Sequence, residues 1–156
     1  MKKVLIALDY APAAEKVAET GYALAKAMQA EVVLVHITAD ASYYSAMAYS
    51  PVMGFTGFAD PQVSETLVNQ LESESQRFLS EVKSHLGDEG ISILVLEGDT
   101  AEGILQAAEM SNADIIVTGT HSRKGLGKLL MGSVAERVLH HSKIPVFIIP
   151  TKDEKQ

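Results

Sequence analysis

With 156 residues, 47% of them apolar, the chain has the length and composition of one globular domain able to bury a single sizeable core. Its 13 Lys and Arg against 20 Asp and Glu give a net charge of −7, so the average surface repels a phosphate backbone and argues against a nucleic-acid partner. The lack of cysteine excludes disulfides, thiolate zinc sites and cysteine nucleophiles, and fits a reducing, cytoplasmic setting.

In chain order, the apolar run near Met1 is cut by Asp9, well short of a signal-peptide core, and Val4 to Leu8 therefore reads as a strand. Ala14, Val17, Ala18, Gly21, Leu24, Ala25 and Met28 follow at helical spacing, and Val32 to Ile37 is a second continuous apolar run. Thr38 to Asp60 is a long connection rich in aromatic residues, Gly and Pro; it reads either as a lid over a ligand or as a plain loop whose aromatics pack on the next helix. That helix is marked by Val63, Leu67, Val68, Leu71, Phe78, Leu79, Val82 and Leu86. A third strand, Ile91 to Leu96, leads to Asp99, the expected N-cap of a helix from Thr100 to about Met110, with Glu102 at N3 and Ala101, Ile104, Leu105 and Ala108 facing the core. A strand at Ile115 to Thr118, a helix from Ser133 to about His141 and a strand at Val146 to Ile149 complete the domain over residues 1–150, with 151–156 as a polar tail. No apolar stretch approaches the roughly 20 residues of a membrane helix, so a soluble protein without membrane contact is expected.

Strands that are apolar throughout, rather than alternating, require helices on both faces. The alternating order of strands and helices, with right-handed crossovers, then gives a single-domain, doubly wound, three-layer α/β sandwich with a five-stranded parallel sheet. Pro145 and Pro150 flank the last strand, and because proline cannot donate to a ladder this strand should lie at a sheet edge. A bare apolar edge is an aggregation hazard, so Val146 to Ile149 is expected to pair with a second copy in a homodimer; the alternative is shielding by the tail.

Ligands of open α/β sheets bind beyond the carboxyl ends of the strands, where neighbouring connections leave in opposite directions. There stand Asp9 after strand one, His36-Ile37-Thr38 after strand two, Glu97-Gly98-Asp99 after strand three, and Gly119 to Ser133 after strand four. The last segment combines four glycines, the cations Arg123, Lys124 and Lys128, the hydroxyls of Thr120 and Ser122, and at Ser133 a helix N-terminus, which together suit a polyphosphate. Local readings stand beside these: Ser133-Val134-Ala135-Glu136 is also an S-x-x-E capping box, Asp9 can cap a turn through Tyr10-Ala11-Pro12, and Ile37 can be plain core. Known phosphate loops do not fit, since Leu129 stands where Walker A needs Ser or Thr and no G-x-G-x-x-G follows strand one. Asp9 between Leu8 and Tyr10 lacks the acidic neighbour of a receiver domain, and the flavodoxin-type Ser/Thr/Gly loop is missing too.

At Gly119, Gly132 and Ser133 the chain resembles the ATP-binding members of the universal stress protein family, which carry G-x2-G-x9-G-(S/T) after strand four and an aspartate at the end of strand one. Ser122 replaces the second glycine of that motif. The likeness covers nearly the whole chain and is specific in the combination of Asp114 to His121 with Gly132 to Val138. It implies sheet order 3-2-1-4-5 in an adenine-nucleotide alpha-hydrolase-like fold, with strands one and four adjacent. It further implies ATP or AMP with Mg²⁺ as ligand. Asp9 and the backbone near Leu8 and Ile37 would meet the adenine, the ribose and phosphates would lie along Gly119, Thr120, His121, Ser122 and Arg123, and Gly132, Ser133 and Val134 would donate amides to the phosphates. Serine at 122 either strains that loop or substitutes a hydroxyl for an amide contact.

Adenylating relatives of the fold carry S-G-G-x-D-S after strand one, and nucleotidyl transferases H-x-G-H; this sequence has neither, and no nucleophile stands beside a general base. No catalytic residue and no metal-ligand set is assigned: His121 reads more simply as a phosphate contact, and His140 and His141 as cations at a helix end. Three functions follow. The first is a nucleotide-binding, stress-response regulatory module acting on an unnamed protein partner. The second is an interaction protein without nucleotide that uses Tyr43 to Phe58, and the third a weak ATPase or phosphotransferase using His121, Ser122 or Ser133.

Overall fold

Val- and Ile-rich runs, stiff at the β-carbon and suited to extended backbone, form five strands: β1 (Lys3–Ala7), β2 (Glu31–Thr38), β3 (Ser92–Glu97), β4 (Ile115–Gly119) and β5 (Val146–Ile149). Between them run α1 (Ala14–Ala27), α2 (Pro61–Leu86), α3 (Thr100–Ser111) and α4 (Ser133–His141). The computed structural model describes residues 1–38, 61–120 and 131–151, with the side chains of 61–68 outside that description. All strand pairs are parallel and the order is β3-β2-β1-β4-β5, as expected. No helix among the described residues is long and apolar enough to cross a membrane.

The period of two along a strand divides the core between the two faces of the sheet. Val4, Ile6, Leu34 and Val117 pack with α1 and with Leu79 of α2, whereas Leu5, Val33, Val35 and Ile116 pack with α3 and with Val138 of α4. Two helix-interior glycines, each worth about 1 kcal/mol less than alanine in helix propensity, let the helices come close. A Cβ on Gly21 would stand 2.9 Å from Ile6 Cδ1, and one on Gly103 would stand 2.8 Å from Ile37 Cδ1. The sheet spacing is thus set by hydrogen atoms where other residues carry side chains.

β5 lies at one edge, where its flanking prolines put it, and Phe147 is 42% exposed. β3 is the other edge. Its sequence reads as covered on both faces, yet Ser92 and Ile93 are exposed and Leu94 to Leu96 only half-buried, because an edge strand has one neighbour instead of two.

Polar contacts hold α1 to α2 and the turn after it. Lys26 Nζ lies 2.9 Å from Asp88 Oδ2, Tyr22 donates to the same oxygen at 3.0 Å, and the Gly90 amide donates to Oδ1 at 2.8 Å. The bond from Lys26, then those from Gly90 and Tyr22, hold the Asp88 carboxyl down to about 2. One end of the same helix pair carries His85, with Nε2 2.9 Å from Glu19 Oε1 and 3.4 Å from Glu15 Oε1. The hydrogen bond to Glu19 first, and the two glutamate charges after it, raise the imidazole above its ordinary 6.5. A raised folded-state value stabilises the protein fully below pH 6.5, and the stabilisation fades as pH climbs through that value. His85→Gln should therefore lower the thermal midpoint relative to the parent at pH 6 and make little difference at pH 9, as followed by circular dichroism; an equal loss at both values would remove charge from the explanation.

Candidate functional site

β1 and β4 are neighbours at the centre of the sheet, in register from Val4 beside Ile115 to Ile6 beside Val117. The chain leaves β1 for α1 on one face and β4 for α4 on the other. The strand ends therefore part, and a cleft of about 240 Å³ opens at their carboxyl side. Leu8, Asp9, Ile37 and Gly119 line it from the strand ends, Ala14 and Val17 from α1, Thr100 and Ile104 from α3, Val134 from α4, and Thr151 from the chain after β5.

Leu8 is gripped by β2 on both sides. Its amide donates to Val35 O at 2.9 Å, and its carbonyl accepts from His36 Nδ1 at 2.8 Å, so Nδ1 carries the imidazole proton. Both backbone groups of Leu8 are thus held by β2 where the residue lines the cleft. Asp9 Oδ1 accepts from the Ala11 amide at 3.0 Å, the turn cap that the local reading expects, while the same exposed residue lines the cleft. Ile37 is 8% exposed and packs against Gly103, so it is core and cleft wall together.

Gly119 has a packing reason of its own. A Cβ there would stand 2.9 Å from both Val17 Cγ2 and Thr151 Cγ2. Beside it, the Thr120 amide donates to Ile149 O at 2.9 Å, its hydroxyl accepts from the Thr151 amide at 2.9 Å, and its carbonyl accepts from the Thr151 hydroxyl. Thr120 thus clasps the chain beyond β5, and Thr151, not Thr120, lines the cleft. His121, Ser122 and Arg123 lie outside the described residues, as do 124–130, the connection 39–60 and the tail 152–156.

The first turns of the two helices on the far face differ. At α3 the expected cap is present: Asp99 Oδ1 accepts from the Glu102 amide at 3.0 Å, and Arg137 of α4 donates to Oδ2 at 3.0 Å. The guanidinium, with the amide bond next in effect, holds the Asp99 carboxyl below its usual range. At α4 the N-cap is Gly132, with φ −59° and ψ 153°, and among the described residues no side chain caps it. Ser133 is the first helical residue and is exposed, so the reading of Ser133 as the capping residue is corrected by one position. A helix end without a side-chain acceptor keeps its amide donors and the positive end of its dipole available to an anion.

Sequence reasoning did not single out Thr100, Ile104, Val17 or Thr151. Thr100 could have been found, since it follows Asp99 at the carboxyl end of β3. The others are ordinary helix or tail residues whose place in the site depends on the crossovers.

A family model described as the universal stress protein family matches residues 1–150. A universal stress protein of Thermus aquaticus is 32% identical, over 95% of this chain and 98% of its own length. The universal stress protein MJ0577 of Methanocaldococcus jannaschii is 28% identical over 97% of this chain and 96% of its own. Its solved structure superposes with a TM-score of 0.74 at 26% identity, covering 98% of each chain. A universal stress protein solved in complex with cAMP shares the fold at a TM-score of 0.65 and 18% identity, over 97% of this chain and 98% of that one. The sandwich is accordingly of the adenine-nucleotide alpha-hydrolase-like kind.

Two crowded methyl groups at Gly119 give a measurable consequence in the absence of any ligand. Gly119→Ala should lower unfolding stability by about 1 to 3 kcal/mol in denaturant titrations of nucleotide-free protein; an unchanged midpoint would leave close approach to a ligand as the glycine's one purpose.

Proposed function

This chain belongs to the universal stress protein family, and from that premise we propose that it is a stress-response regulatory protein that binds an adenine nucleotide, ATP or AMP, in the cleft between β1 and β4. The observation that carries the reading is the pairing, in one cleft, of the apolar residues Leu8, Ile37 and Ile104 with the first turn of α4, whose amides no described side chain caps. A flat heterocycle suits the apolar surface and a phosphate suits the helix end. Asp9 faces the base and ribose, Gly119 borders the ribose while Thr120 beside it holds Thr151 at the rim, and Gly132, Ser133 and Val134 offer amides to the phosphates. His121, Ser122 and Arg123 join this proposal from the sequence alone, supplying hydroxyl and cationic contacts. Mg²⁺ would arrive with the phosphates, whose oxygens supply most of its ligands. The cAMP held by one structural neighbour is a ligand of the same class.

The same reading has the protein act in the cytoplasm as a homodimer joined at Val146–Ile149, where exposed Phe147 favours a partner strand, and signal to a further regulatory protein when the cleft is filled.

Calorimetric titration of Mg-ATP into nucleotide-stripped protein should give a dissociation constant in the micromolar range, about −8 kcal/mol. Gly132→Asp puts a carboxylate at the α4 N-cap. Aspartate is a favoured capping residue, so the variant should keep its thermal stability while losing at least about 100-fold in affinity through competition for the same amides. No heat from the parent protein, or parental affinity in the variant, would reject the site.

A further inference from the structure

Beside the cleft, on the face covered by α1 and α2, polar and aromatic contacts run from buried His36 through Tyr10, 57% exposed, to buried Ser75 of α2. His36 is 6% exposed and donates Nδ1–H to the Leu8 carbonyl. Tyr10, the residue after Asp9, lays its ring 4.6 Å from His36 and 5.0 Å from Phe78 of α2, and its hydroxyl lies 2.8 Å from Ser75 Oγ. Ser75 is 0% exposed, on the buried face of α2 one turn from Leu79. A buried serine is unfavourable in a helix unless its hydroxyl is bonded. The partner here is a side chain 65 residues away in sequence.

Asp9 is therefore bracketed. The residue before it is fixed by the backbone and imidazole of β2, and the residue after it by tilted ring contacts and a hydrogen bond reaching α2. We propose that Leu8, His36, Tyr10 and Ser75 form a positioning chain that sets the aim of the Asp9 turn and couples cleft occupancy to α2. This rests on the nucleotide reading above. Ser75 does not line the cleft, and its hydrogen bond to Tyr10 ties it to the residue after Asp9. By linkage, a contact on α2 that favours ligand binding is itself strengthened by the ligand, by the same factor.

The test uses Ser75→Ala and Tyr10→Phe, which remove the same hydrogen bond from its two ends, and reads Mg-ATP affinity by calorimetry together with amide hydrogen exchange. Each variant should bind Mg-ATP about three- to tenfold more weakly, the range for one hydrogen bond, and the double variant no more weakly than either, since one bond is lost in all three. Saturating Mg-ATP should slow exchange in the α2 turn around Ser75 in the parent and fail to do so in the variants. Parental affinity in Ser75→Ala, or additive losses in the double variant, would overturn the proposal. If the parent itself binds no Mg-ATP, the nucleotide reading falls separately, and the positioning claim is decided by the Ala11 amide, which donates to Asp9: faster exchange in Ser75→Ala supports it, and an unchanged rate overturns it.

Discussion

The parallel pairing of β1 with β4 is the constraint from which the site follows. Both strands are buried on both faces, so each needs a helix above and below. The right-handed crossover from β1 carries the chain to one face and that from β4 to the other, and two connections departing in opposite directions open a space between the strand ends. A cavity at Leu8, Asp9 and Gly119 is thus a by-product of covering the sheet. The glycines refine it: Gly103 lets α3 rest on Ile37, and Gly119 admits Val17 and Thr151 to the rim. The cleft is narrow where these contacts hold it narrow.

Electrostatics then separates two helix ends that geometry leaves alike. α3 and α4 both begin on the same side of the sheet, and both begin with amides that lack a partner within the helix. Asp99 answers the need at α3 and is itself answered by Arg137, which closes that end electrically. Gly132 has no side chain with which to do the same at α4. In a chain of net charge −7, attraction for an anion cannot come from the average surface, and such short-range donors can supply it locally.

Much of this was legible in the sequence because it depends on local composition. Five Val- and Ile-rich runs, two helical periodicities, the cap at Asp99 and the prolines around β5 each report on a few neighbouring residues, and each has its counterpart in the structure. The sheet order came from family resemblance, since composition does not say which strand stands beside which. Three features were beyond local reading. Ile91 to Leu96 carries no mark of its neighbours in its composition, and its place at an edge came only with the order that the resemblance implies. The spacing Ser133-x-x-Glu136 marks a helix start but leaves its boundary uncertain by a residue, and the cap proved to be Gly132. Thr120 reads from the sequence as a ligand hydroxyl, and its bond with Thr151, 31 residues on, can be met only in the fold.

The uncapped turn of α4 and the apolar end at Leu8 and Ile37 give the cleft a polarity along its length. A molecule with two unlike ends has one way to lie in such a groove, whichever contacts finally hold it. Members of a series sharing one end and differing in the length of the other would superimpose at the strands and diverge only in how far they extend toward the helix. The separation between strand end and helix end would then act as a ruler for any such series.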